Sequence, residues 1–185
     1  MLVENFPLQV MMSSKPFDIR KTHFFDLDEG IRNKPKKAIW TSSLASDHEY
    51  FLSDWERWCT AEYFGVWNNA VILIPKENLE VLDITGYAED RWYDELKERF
   101  PHFLVKSRYT DNTYVNLNFN ELRNNGYDCV HIMDANSELA RMSFYGWDCE
   151  SNVWLHPNFY SAYRGGTIDE IHEWLDRQGT LLAKV

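Results

Sequence analysis

Phe144-Tyr-Gly-Trp-Asp-Cys-Glu-Ser-Asn-Val-Trp-Leu-His-Pro157 is the stretch from which the rest of the chain is read. It sets Asp148 and Glu150 two positions apart, just ahead of an apolar segment that Pro157 stops. In an extended segment, residues i and i+2 share one face. Both carboxylates then point the same way beside Trp147 and Trp154. A carboxylate set among aromatic rings is costly to bury without a partner. Either the pair supplies a catalytic acid or electrostatic stabiliser, or the segment is an edge strand with a wet acidic face.

Working outward, Tyr127–Met133 and Asn152–Leu155 read as strands, and the brief helix 120–125 ends on Gly126, a common helix stop. Earlier strand signals lie at Leu8–Met12, at 38–42, at the continuous apolar run Ala70–Ile74, at 81–84, at 103–106 and at 113–117. Asp54–Phe64 is a helix: Ser53 and Glu56 make a capping box, and Trp55, Trp58, Cys59 and Tyr63 share a stripe. Another helix spans 88–100, and Thr167 with Glu170 caps the last, running to Trp174. Residues 18–37 read as a long polar loop. Strands and helices do not alternate regularly, so the expected fold is α+β, with a bent, mostly antiparallel, split sheet flanked by helices.

The chain has 185 residues and no linker, so a single domain over 1–185 is expected. Rings are plentiful, 16 % of all residues, so the core and any pocket should be ring-rich. Net charge is −10, which repels phosphate backbones at long range and disfavours a general nucleic-acid binder. The one basic run (Arg20, Lys21, Arg32, Lys34, Lys36, Lys37) lies in the N-terminal third. Cys59, Cys129 and Cys149 have no close spacing, as suits a reducing compartment. With no signal-peptide pattern and no membrane-length apolar run, a soluble cytoplasmic protein is expected.

The six histidines lack H-x3-H or HExxH spacing and there is no C-x2-C, so no metal site is expected. Neither GxxxxGK nor GxGxxG occurs, and Gly165-Gly166 reads as a plain turn before the Thr167 cap. No GxSxG elbow is present. Cys149 lies between two carboxylates, which raise a thiol pKa and suit no nucleophile.

Three segments remain: Met11-Met12-Ser13-Ser14-Lys15, Ile39-Trp40-Thr41-Ser42, and the late Asp148-x-Glu150. Their order resembles the ADP-ribosyltransferase fold. Trp40-Thr41-Ser42 resembles that family's aromatic-Ser/Thr-Ser motif, which leads into a helix. Glu150-Ser-Asn-Val-Trp-Leu-His-Pro157 resembles its catalytic-glutamate strand, and Tyr127-Asp-Cys-Val resembles the approach to it. The likeness spans roughly residues 8–157 and suits a divergent member of phage or toxin type. Where the family carries a His or Arg on its first strand, this chain holds Met12. Either Ser14 and Lys15 take over the cofactor grip, or NAD chemistry has been lost.

The resemblance implies NAD as cofactor, lying between two half-sheets with its nicotinamide on Trp40 or Tyr63. Thr41 and Ser42 would belong to the cofactor site, Ser42 binding the ribose or supporting the glutamate. Glu150 would stabilise the oxocarbenium-like ribose, and Asp148 would orient the acceptor. The acceptor would be a macromolecule, a protein before a nucleic acid. Lys15 or Arg20 would supply positive charge. In an active cleft Glu150 and Ser42 should converge. A competing reading is a non-catalytic acidic inhibitor of a basic partner surface, motivated by the charge of −10. A third keeps the fold but removes phosphate from RNA ends or hydrolyses NAD.

Overall fold

The structure, a computed structural model, describes residues 2–14, 27, 33–35, 38–45, 51–62, 68–85, 97–101, 104–106, 115–133, 144, 147 and 149–178. Its strands are β1 (Leu2–Val3), β2 (Gln9–Ser13), β3 (Ile39–Ser43), β4 (Asn69–Pro75), β5 (Leu79–Asp83), β6 (Leu104–Lys106), β7 (Val115–Leu117), β8 (Cys129–Ile132), β9 (Ser151–Trp154) and β10 (Phe159–Thr167). Its helices are α1 (Asp54–Ala61), α2 (Phe119–Asn124) and α3 (Ile168–Gln178). Eight strands form one open sheet in the order β1-β5-β8-β9-β3-β2-β4-β10, and β6 pairs with β7 separately. Every pairing is antiparallel except β5 with β8. The fold is therefore mixed α+β, with a mostly antiparallel sheet.

Side-chain alternation explains why the sheet curls. Val71 and Leu73 of β4 share a cluster with Leu79 and Val81 of β5, Cys129 of β8 and Trp154 of β9. Those strands lie far apart in sheet order, so the two halves face each other across this cluster. The opposite faces carry their own cores. Val10, Met12, Ala70 and Ile72 pack on Leu52 and on Ile171 and Leu175 of α3. Leu82, Val130, Ile132 and Val153 pack with Phe119 and Leu122 of α2, and with Phe144 and Trp147. Buried on both faces, β4 needs apolar residues at successive positions, hence Ala70-Val-Ile-Leu73.

Helix ends follow their sequence signals. Ser53 Oγ accepts from the Glu56 amide at 3.4 Å, and Glu56 Oε2 accepts from the Leu52 amide at 2.6 Å. Thr167 and Glu170 bond reciprocally at 3.2 and 2.8 Å, a complete capping box. Gly126 follows α2 at φ 86°, a left-handed conformation that glycine adopts without steric cost.

The turn expected at Gly165-Gly166 is instead the end of β10, paired with Val71 and Ala70. A Cβ at position 166 would come within 2.7 Å of the Glu170 carboxylate that caps α3. Glycine there serves the cap. Of the helix expected over 88–100, residues 88–96 lie outside the described residues, and 97–99 are helical. Of the loop expected over 18–37, only residues 27 and 33–35 are described. Among the described residues no helix is long and apolar enough to cross a membrane.

Candidate active site

Strand order brings the three sequence segments side by side: β9 lies next to β3, and β3 next to β2. Glu150 immediately precedes β9 and is only 4 % exposed. Its Oε2 accepts from Ser42 Oγ at 2.5 Å and from the Ser43 amide at 2.6 Å. Its Oε1 accepts from Ser43 Oγ at 2.8 Å and from Asn152 Nδ2 at 2.7 Å. The expected convergence of Glu150 with Ser42 is thus present, across a separation of 108 residues. These four donors match the roughly four acceptor positions of an ionised carboxylate. Burial pushes the Glu150 pKa up, but His131 and the Ser42 and Ser43 donors outweigh it and hold it below the ordinary carboxylate value. The group stays charged although buried.

Behind it runs a buried polar chain. Thr41 Oγ1 donates to Gln9 Oε1 at 2.5 Å and accepts from Trp154 Nε1 at 2.8 Å. Gln9 Nε2 donates to Ser43 Oγ at 3.2 Å and to the Pro7 carbonyl at 3.1 Å. Asn152 is oriented by the Cys129 thiol, 3.8 Å from its Oδ1. That contact leaves the amide nitrogen turned to Glu150.

A groove of about 670 Å³ opens over this carboxylate. Its walls come from Phe6 and Pro7 ahead of β2, Ser43, Leu44 and Ala45 at the end of β3, Asp54 and Arg57 of α1, His131 and Met133 at the end of β8, and Glu150 itself. His131 Nδ1 lies 3.2 Å from Asp83 Oδ1, and its Nε2 lies 3.6 Å from Glu150 Oε1. Burial pushes the His131 pKa down, but the bonds and charges of Asp83 and Glu150 bring it up to about 9. Burial likewise opposes ionisation of Asp83, yet bonds from His131 and Thr85 hold its pKa at about 2.

Several expectations need correction. Thr41 is fully buried and its hydroxyl is occupied on both sides, so it braces the site from behind the groove. Ser42 is fully buried and bonds the glutamate, the second of the two roles expected for it. Trp40 is half-buried, stacked edge-to-face on Trp147 at 4.8 Å, and does not line the groove. The contact packs ring against ring and leaves the buried Trp147 Nε1 without a hydrogen-bond partner among the described residues. Among the described residues, Phe6 is the benzyl ring that lines the groove. The space between the half-sheets is no cleft, because Ile39, Leu73, Val81 and Trp154 fill it. Met12 is 5 % exposed in the apolar cluster under α3, and the first-strand residue that reaches the site is Gln9. Ser14 is exposed one residue beyond β2.

Asp148, Lys15, Arg20 and Tyr63 lie outside the described residues. Cys149 follows its expected direction: burial, then the nearby Cys59, Asp54 and Glu150, push its thiol up to about 12. Sequence reasoning missed Ser43, Asn152, His131, Gln9 and Arg57. Asn152 stands two residues after Glu150, the same-face spacing that was applied to Asp148 instead. Among the described residues, no group of three or more His, Cys, Asp or Glu side chains is placed to hold a metal ion. No family model matches the chain, and neither a curated protein nor a solved structure matches it.

Proposed function

We propose that this groove carries out ADP-ribosyl transfer from NAD to a macromolecular acceptor, a protein before a nucleic acid. The observation that carries the reading is the ionised carboxylate of Glu150, 4 % exposed and held by Ser42, Ser43 and Asn152 on the wall of a groove. An aromatic-Thr-Ser strand beside a glutamate strand, with an early strand on its other side, supports the ADP-ribosyltransferase-like version of this α+β fold.

In the reaction the glycosidic C1′–N bond breaks and its electron pair leaves with nicotinamide. The acceptor lone pair then bonds to C1′ and the acceptor loses its proton. Between these events the ribose carries positive charge. Glu150 acts on that charge as a fixed anion, already desolvated and pre-oriented. Two unit charges about 4 Å apart interact by on the order of 4 kcal/mol at an effective dielectric of 20. Since its acceptor positions are filled, Glu150 works through its field, and Ser43 Oγ is the rotatable donor on the groove wall that a ribose hydroxyl would displace. Phe6 is the ring available to a nicotinamide, in place of Trp40.

Incubation of the wild-type protein and Glu150→Gln with labelled NAD and cell lysate tests this. Label transfer and nicotinamide release by the wild type alone are expected. Equal transfer by both proteins, or no NAD binding or turnover by the wild type, overturns it.

A further inference from the structure

His131 stands between two carboxylates, each supplied by a different neighbouring strand. Parallel pairing sets Asp83 of β5 opposite His131, and antiparallel pairing sets Asn152 of β9 opposite it, with Glu150 just beyond. Nδ1 is 3.2 Å from Asp83 Oδ1, while Nε2 is 3.6 Å from Glu150 Oε1. Carboxylates only accept, whereas a neutral imidazole donates from one nitrogen alone. With Asp83 bonded at Nδ1 and the Glu150 charge within ion-pair distance of Nε2, the surroundings favour the imidazolium. Asp83 is itself fixed, its Oδ1 accepting from the Thr85 amide at 2.9 Å. Phe6 lies edge-on to the imidazole, ring centroids 6.4 Å apart. Across the groove Asp54 and Arg57 of α1 bond each other at 3.1 Å. Among the described residues, His131 is the one basic group at ion-pair distance from Glu150.

We infer that His131, oriented by Asp83, is a positioning residue for Glu150. It keeps the buried carboxylate ionised and turned toward Ser42 and Ser43. The inference rests on the reading of Glu150 as the catalytic carboxylate. The β3 donors reach Glu150 from one neighbouring strand; His131 reaches Oε1 from the other, β8, and adds a full positive charge. Neutral hydrogen bonds fix geometry, whereas a counter-charge also opposes the protonation that burial favours. As pH rises through about 9 the imidazolium is lost, and with it the counter-charge on Glu150.

Two measurements separate this inference from the reading it rests on. The first is an NMR titration of the imidazoles in the wild type, Asp83→Asn and Glu150→Gln, with His131→Gln assigning the signal. A wild-type His131 titrating near pH 9, and at least one pH unit lower in each variant, is expected. Titration near 6.5 in the wild type, or no movement in either variant, overturns the inference whatever the activity. The second is the pH profile of nicotinamide release. The wild type is expected to lose kcat on the alkaline side and Asp83→Asn to lose it at lower pH. His131→Gln should lack that limb, with kcat down about 10- to 100-fold, the loss typical when the partner orienting a metal-binding side chain is removed and expected for this analogous role. An unchanged profile in folded His131→Gln overturns the inference while leaving the reading intact. Absence of turnover in the wild type, with the expected titration, sinks the reading and leaves the coupling of His131 to Glu150 standing.

Discussion

Val10, Met12, Ala70 and Ile72 close on Ile171 and Leu175 of α3, and every side chain in that cluster is apolar. One residue from Val10, the chain buries Gln9, and beside it Thr41, Ser42, Asn152 and Glu150 are just as inaccessible, yet all are polar. The apolar patch gains roughly 25 cal/mol for each Å² removed from water. The polar patch gains little net, about 0.5–1.5 kcal/mol per hydrogen bond, and loses heavily if one partner is missing. Burial alone therefore stabilises the first patch, whereas the second holds only while every one of its hydrogen bonds is made.

Cutting into the apolar patch should give the largest effect on stability. Ile72→Ala is expected to lower it by about 2–5 kcal/mol in a urea melt, with nicotinamide release per folded molecule unchanged. Glu150→Gln should show the reverse: release falls on the order of 10²–10³-fold, while the sheet still forms. Substantial loss of turnover in Ile72→Ala, or none in Glu150→Gln, breaks the comparison. Thr41→Val probes the brace. It orphans Trp154 Nε1 and Gln9 Oε1 together, and about 1–3 kcal/mol is expected for an orphaned group.

Acidity should also divide the regions. The raised His131 value makes its contribution complete below the unfolded value of 6.5 and lost as pH rises through about 9. The depressed Asp83 value makes its contribution complete above 3.8 and lost as pH falls through about 2. Urea midpoints should therefore drop between pH 6 and pH 10 in the wild type, and drop less in His131→Gln. At the bottom of the scale, Arg177→Ala removes a pair to Glu173 whose side chains are 73 % and 68 % exposed, and should change stability by no more than about 0.5 kcal/mol.

The sequence announced some of this and hid the rest for definable reasons. β4 was legible because a strand buried on both faces reads as a continuous apolar run. β10, the longest strand, was missed. Register shifts between Phe159 and Ser161, and between Ala162 and Arg164, break its alternation, and two glycines close it. Glu150 and Ser42 were legible through local motifs. His131, Asn152 and Gln9 were not, because their roles depend on strand order, which places β8 beside β9 and β2 beside β3. Trp40 misled because an aromatic beside a motif is as useful to a core as to a ligand, and Trp147 claims it.

The separation of 108 positions from Ser42 to Glu150 has a consequence for the growing polypeptide. At a synthesis rate of about 5–20 residues per second, β3 waits roughly 5–20 s in an emerging chain before the glutamate that faces it has been made. Until then Ser42 and Ser43 have no carboxylate to bond, and a ribosome-bound fragment ending before β9 has no assembled centre. If the proposed centre performs the chemistry, none can occur until the strand that follows Glu150 has been made.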